Sequence, residues 1–261
     1  MTPEDILAHW DRGTLWPEGC GLDLPAAYER SLTLRQLRIA RGERPVGYKI
    51  GFTNRKIWSR YGVFAPIWGA VWDTTVVFCD GAGTLSLAKA CQPRLEPEAV
   101  FGMAATPPAN ATLDDLLACV EWLAPGFELV QSHLPNWVFK APDTVADGGL
   151  HAALLVGAKV ATSQLPQSAI EFDALLARSS VALCNGGRTV DKGVGANVLD
   201  GPLHALHHFL EALRQCPGAT DLQPGDVVTT GTWTDAWPVA AGEQWTAQFD
   251  GPLPPLQVTF T

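Results

Sequence analysis

Two glutamates separated by one residue, Glu96 and Glu98 in the run RLEPEAVFGM, are the first place where this chain can bind and react. Side chains alternate along a strand, so both carboxylates project to one side, about 6.6 Å apart, a span that one hard cation can bridge. Pro97 between them cannot donate to a sheet ladder, which places the segment at an edge, a bulge or a strand opening. Glu128 in GFELVQ is a third acid, inside a run otherwise suited to burial, where a carboxylate needs a cation or a hydrogen-bond donor. Three carboxylates with water make an oxygen-only shell that suits Mg2+ or Mn2+, whereas zinc usually recruits His or Cys. On these residues alone, a solvated pair of strand glutamates and a salt-bridged Glu128 fit as well.

Lys49 stands in GYKIGF, with a glycine on either side of the Tyr48 to Ile50 triplet, so a ligand can approach the backbone closely there. Near a divalent cation its ammonium gives up a proton more readily and can exchange it at neutral pH; still charged, it can bind a carboxylate. A strand lysine reaching out to water is the plain alternative. FKAPDTVADGG brings Lys140, Asp143 and Asp147 into what reads as a loop, and TTGTWTD offers Thr229, Thr230, Gly231 and Thr232 at a strand end. Hydroxyl and N–H groups in such places hold carboxylates, and equally serve ordinary turns. His204, His207 and His208 recur at helical spacing with no acid read beside them, which fits a surface or packing role. The sequence has no G-x-S-x-G elbow, P-loop or dinucleotide fingerprint.

The elements that must position these residues are mixed. Helices are predicted over 4–11 and 23–42, the second with Asp23 as N-cap and Pro25 in its first turn. From Pro45 short β-like runs dominate: VGYKIGF, TTVVFC, EAVFGM, GFELVQ, AALLVG, SVALC, DVVTT and QWTAQF. Further helices are expected over 54–60, 112–123 and 201–215, and a hairpin turn at Asn185 to Gly187, where Asn-Gly supplies positive φ. The class is α+β, with an N-terminal helical cap over 1–44 and a β-rich body over 45–261.

Composition sets the bounds. The 261 residues are 47% hydrophobic and 17% charged, which excludes global disorder. A net charge of −9 repels phosphate backbones and anionic headgroups, so neither nucleic acid nor a membrane surface is an expected partner. The most apolar stretch, HAALLVGAKVA, is about half the roughly 20 residues of a membrane span. Six dispersed cysteines read as thiols in a reducing compartment, and the acidic opening lacks a secretory pattern, so a cytoplasmic location is expected.

Taken in order, GYKIGFT, GVFAPIWG, LEPEAVF, FELVQS, KAPDTVAD, GVGANVLDGP and GDVVTTGTWTDAWPVAAGE resemble the 2-keto-4-pentenoate hydratase and 4-oxalocrotonate decarboxylase family, within the fumarylacetoacetate hydrolase superfamily. The resemblance implies a mixed β-roll, with Mg2+ or Mn2+ held at Glu96, Glu98 and Glu128, and Lys49 as the active-site lysine. It also implies that Lys140, Asp147 and Thr232 lie on pocket-lining segments, Asp147 as a second catalytic group. Substrates would be short 2-oxo acids or their dienols. The implied reaction is hydration of a 2-hydroxy-2,4-dienoate in aromatic catabolism, with decarboxylation, C–C hydrolysis or a non-catalytic partner role as alternatives. Homo-oligomers and association with a related decarboxylase are implied too. The chain departs from the family pattern at Gly148 to His151, at Gln131 to His133, and at Phe64 and Ala65, which bears on substrate identity more than on metal binding.

Overall fold

The computed structural model describes the backbone of residues 1–261 and the side chains of all but residues 60 and 61. Two helices come first, α1 (Pro3–Arg12) and α2 (Leu24–Ala40). The Thr2 hydroxyl accepts from Asp5 N–H and the Asp5 carboxylate from Thr2 N–H, while Asp23 caps α2 by accepting from Ala26 N–H at 3.0 Å. Each such cap contributes about 1 kcal/mol to helix stability. The body follows as β1 (Pro45–Gly51), α3 (Trp58–Tyr61), β2 (Ile67–Trp72), β3 (Val76–Phe78), β4 (Ala82–Leu85), β5 (Arg94–Met103), α4 (Leu113–Ala118) and β6 (Val120–Val130). Then come α5 (Ala141–Ala146), β7 (His151–Val156), β8 (Val160–Ala161), α6 (Ala169–Arg178), β9 (Ser180–Asn185), β10 (Arg188–Val194) and α7 (Pro202–Gln215). The chain closes with β11 (Val227–Thr232), β12 (Trp237–Pro238), β13 (Gln244–Phe249) and β14 (Leu256–Phe260).

The larger sheet runs β2-β1-β11-β5-β6-β7-β3, with β12 on β5 and β8 on β6. It is mixed: β1 lies parallel to β11 and β3 to β7, and the other neighbours are antiparallel. It also curls, because Val71 on β2 and Leu154 and Val156 on β7, near opposite ends of that order, share one apolar cluster with Val100, Ala124 and Val227. On β5, Leu95, Ala99 and Phe101 face the main core, whereas Glu96, Glu98 and Val100 face the inside of the curl. The main core lies against a second sheet, β10-β9-β13-β14-β4, and against α4, α6 and α7. A fully buried phenylalanine such as Phe101, Phe172 or Phe209 contributes about 1.5–3 kcal/mol there. A smaller cluster of Ile6, Trp16, Ala27 and Leu34 with Ile67, Leu134, Val145 and Ala146 seats the two N-terminal helices on β2 and α5.

Several expectations are corrected. The helix predicted over 112–123 stops at Ala118, because VEWLAPGFELV pairs with β5 along its length and claims residues from Val120 for an eleven-residue strand. FKAPDTVADGG is not a loop: Pro142 occupies the first turn of α5, and the Asp143 carboxylate accepts from Lys140 N–H at 2.8 Å and Cys20 N–H at 2.7 Å. Helix α6 was not foreseen, although its buried Ala169, Phe172, Asp173 and Leu176 recur at helical spacing. The β9–β10 hairpin is present, with Gly186 and Gly187 at φ 56° and 82° as its turn and Asn185 ending β9. All six cysteines are unpaired. Among the described residues no helix is long and apolar enough to cross a membrane.

Candidate metal centre and active site

Register builds the site. β5 and β6 pair with Glu96 directly opposite Glu128, and Glu98 opposite Gly126. Alternation puts all three carboxylates on the inner face, where one oxygen of each lies within 4.8 Å of the others. Glu98 and Glu128 are fully buried, and Glu96 is half-buried. Like charges directly opposite one another weaken a sheet, so this arrangement needs compensation.

Part of it comes from Lys49. β1 pairs with β11 at Lys49 and Thr229, with β11 and β5 standing between it and β6, and the buried Lys49 Nζ lies 3.1 Å from Glu128 Oε2. The other Glu128 oxygen, Oε1, accepts from His151 Nδ1 at 2.8 Å, and His151 Nε2 lies 2.9 Å from the Thr75 hydroxyl. β7 carries one extra residue against β6 between the pairs Leu129–Ala153 and Val130–His151. That bulge turns His151 to the Glu128 face, where alternation from Leu154 would send it away. A second bulge, in β11 between Thr229 and Thr232, turns Gly231 N–H inward to Glu98 Oε2 at 2.7 Å. Gly231 has φ 99°, and a Cβ there would stand 2.1 Å from Thr53 Oγ1, so glycine is required.

Burial pushes the Glu96 carboxyl up to about 7 against the pull of Lys49. Burial also drives Glu98 well above the usual carboxylate range, with Glu128 and Glu96 adding to it. Burial opposes charge on Glu128 as well, but Lys49 and His151 outweigh it and hold that carboxyl below its ordinary value. For Lys49 burial disfavours the ammonium, and Glu128, Glu96 and Glu98 together reverse this and raise it. His151 is lowered by burial despite its bond to Glu128.

These residues fit a hard cation. Glu98 Oε1 is buried without a hydrogen-bond partner, and Glu128 Oε2 accepts no well-directed hydrogen bond, facing the Lys49 ammonium only as an ion pair. An open buried acceptor costs about 1–3 kcal/mol, more when charged, and a divalent cation satisfies both oxygens at once. The donors are carboxylate oxygens, the preference of Mg2+ and Mn2+.

A cavity of about 190 Å³ opens onto Glu96 and Lys49, walled by Ile50, Ile67, Val130, Phe139 and Leu150 on its apolar side. Thr232 lines it too, its hydroxyl donating to Thr234 O at 3.1 Å and accepting from Thr234 N–H at 3.2 Å. Lys140 and Asp147 do not line this cavity. Asp147 Oδ1 accepts from Trp10 Nε1 at 2.7 Å and His133 Nδ1 at 2.8 Å, and Oδ2 accepts from His133 N–H at 3.1 Å. Sequence reasoning missed Arg94, which lines the cavity and stacks over Trp137 at 4.3 Å to the ring centroid. The alternation that joins Glu96 to Glu98 reaches Arg94 as well, so the signal was present. The histidines of α7 do have acids beside them, contrary to expectation: His204 pairs with Asp173 of α6, and His207 and His208 lie 3.8 and 3.7 Å from Glu211.

No family model matches the chain. The 2-hydroxyhexa-2,4-dienoate hydratase of Comamonas testosteroni is 31% identical over 229 residues, covering 86% of this chain and 82% of that protein. The 4-oxalocrotonate decarboxylase of a Pseudomonas sp is 30% identical over 86% of this chain and 83% of its own length. The 2-keto-4-pentenoate hydratase of Burkholderia vietnamiensis is 30% identical over 92% and 87%. The fold is similar to that of 4-oxalocrotonate decarboxylase from Pseudomonas putida G7, complexed with magnesium and adipate, with TM-score 0.85 and 24% identity over 100% of this chain and 99% of that one. Fumarylpyruvate hydrolase from Pseudomonas aeruginosa, in complex with Mn2+ and pyruvate, gives TM-score 0.62 and 17% identity over 84% and 89%. Sequence likeness across most of its length, together with the curled sheet, makes this chain a member of the 2-keto-4-pentenoate hydratase and 4-oxalocrotonate decarboxylase family.

Proposed function

We propose that this chain is a Mg2+- or Mn2+-dependent hydratase of 2-hydroxy-2,4-dienoates, giving 4-hydroxy-2-oxo acids late in the breakdown of aromatic compounds. The observation that carries the reading is the triad of Glu96, Glu98 and Glu128, with Lys49 3.1 Å from Glu128, at the end of a largely apolar cavity. The three glutamates would hold the cation, which supplies a sink for negative charge on the C2 oxygen of a 2-oxo acid. Lys49, an ammonium beside Glu128, faces both the triad and the cavity, so as the dienol ketonises it can give a proton to C5 and recover one from the C2 hydroxyl. Water then adds across C3 and C4 of the enone, oxygen to C4 and hydrogen to C3. The apolar wall excludes bulk water from the tail, and Thr232 stands on the polar side as a substrate contact. Asp147 acts from outside the cavity, holding the start of the turn that leads into Gly149 and Leu150 of its wall, and Lys140 stands exposed outside it.

The same reading includes a homo-oligomer, supported by Phe64, Ile170 and Val138, which are 85%, 78% and 75% exposed. Association with a related decarboxylase belongs to it as well. A cytoplasmic location is supported by the six unpaired thiols.

The test is an absorbance assay with freshly made 2-hydroxypenta-2,4-dienoate and metal-stripped protein, read before and after adding Mg2+ or Mn2+, with products weighed. Metal-dependent loss of the dienol band with gain of one water is the expected result. No turnover despite measurable metal binding removes this substrate, and release of carbon dioxide from a dicarboxylate analogue moves the chain to the decarboxylase side of its family.

A further inference from the structure

Asp147 sits at the start of a turn with an unusual backbone. Gly148, Gly149 and Leu150 follow at φ 64°, 73° and 66°, three consecutive residues in the left-handed region, the last of them not glycine. A non-glycine residue there is strained and persists only when its surroundings hold it. On one side of the turn lies the first helix: the Trp10 indole covers Gly148, where a Cβ would stand 2.9 Å from Trp10 Cη2. The Trp10 N–H reaches Asp147 at 2.7 Å. On the other side lies the active-site lysine. A Cβ on Gly149 would stand 2.9 Å from Lys49 Cδ, and one on Gly69, the residue paired with Lys49 across β1 and β2, would stand 2.1 Å from Gly148 O. The turn is therefore wedged between Trp10 and the stem of Lys49, with no room on either face.

We infer that Trp10 is a positioning residue for Lys49, acting through Asp147 and the Gly148–Gly149 turn. The inference rests on the proton-transfer role proposed for Lys49. Asp147 gathers three donors, from Trp10 and twice from His133, and so fixes where the turn begins. The turn then packs against the lysine stem while Glu128 pairs with its ammonium, and Gly149 and Leu150 continue into the cavity wall. The first helix keeps other anchors, including Ile6 in the smaller core and Trp16 N–H to His133 O at 2.7 Å, so loss of the indole N–H leaves it docked. What changes is the placement of Lys49, and a displacement of about 1 Å at a reacting group can cost up to 100-fold in rate.

The experiment is a cycle of Trp10→Phe, Lys49→Met and the double variant in the full chain. It reads kcat and KM on the dienol with saturating Mg2+, Mg2+ affinity by calorimetry, and the unfolding midpoint of each protein. Trp10→Phe is expected to lower kcat about tenfold while KM and Mg2+ affinity stay within about twofold. In the Lys49→Met background the same change is expected to have no further effect, because its route runs through the lysine. Wild-type kcat in Trp10→Phe, or an equal loss in both backgrounds, overturns the inference while the role of Lys49 stands. Near-normal turnover in Lys49→Met overturns that role and the inference with it. Should Trp10→Phe not fold, Asp147→Asn, which keeps the shape but turns one acceptor into a donor, carries the same expectation and the same refutation.

Discussion

The two walls that meet at Lys49 are built in opposite ways. One is made of strands: Glu96 and Glu128 face each other across β5 and β6, and their directions follow from pairing alone. The other is a turn, Gly148 to Leu150, whose shape depends on Asp147 and on a helix more than a hundred residues away in sequence. The strand wall carries charge in a buried place and needs partners to keep it there; the turn wall carries no charge and needs partners to keep its shape. An acid on the strand wall should therefore matter to binding and stability, and a residue beside the turn should matter to rate.

The largest effect expected from breaking this contrast is that of Glu128→Ala. It removes a metal ligand and leaves the buried Lys49 ammonium without its closest partner, so metal affinity is lost and the fold weakens by about 3–5 kcal/mol. Glu96→Ala is expected to remove most metal affinity with little loss of fold, since Glu96 is only half-buried and makes no close ion pair with Lys49 among the described contacts. Calorimetric titration with Mg2+ and urea unfolding of both variants check this pair; equal stability losses would erase the distinction between the two acids.

A smaller effect is expected from pH in metal-stripped protein. Glu96 rises from 4.5 to about 7 on folding, and Glu98 moves the same way. Between those values the folded state keeps a proton that the unfolded state has released, so stability is full below the lower value and falls as pH rises through the upper one. Mg2+ is then expected to raise the urea midpoint strongly at about pH 8 and little at about pH 5. A midpoint that rises with pH over this window in the absence of metal contradicts it. The smallest effect is that of Lys140→Ala: because Lys140 lies outside the cavity, kcat/KM on the dienol is expected to stay within about threefold of wild type. A rise in KM of tenfold or more would return that lysine to the substrate.

The strand wall was readable in the chain because period-two alternation gives direction as well as position. Glu96 and Glu98 share a face by counting, and the same count reaches Arg94, which was passed over. Nothing in the spacing gives the bulge in β7 that aims His151 at Glu128, since an unpaired residue has no signature of its own in an alternating run. The resemblance implies a catalytic Asp147, whereas its oxygens serve His133 and Trp10, the latter a partner that only the seating of the first helix supplies. The α6 helix was legible from Ala169, Phe172, Asp173 and Leu176 and was masked by the β-rich texture around it. The early end of α4 was not, because long-range pairing with β5 decides where β6 begins.

The bulge at Gly231 has a further meaning for how such a site can change. Its donor to Glu98 belongs to the main chain, so it depends on Gly231 keeping its φ of 99° and not on the identity of any side chain. The cation-binding end of the cavity is thus partly inscribed in the backbone and insulated from drift in the side chains around it. Variation at Phe139, Leu150 or Trp137, on the cavity's other surfaces, can recast which tail is accepted while the chemistry at the carboxylate end is inherited intact.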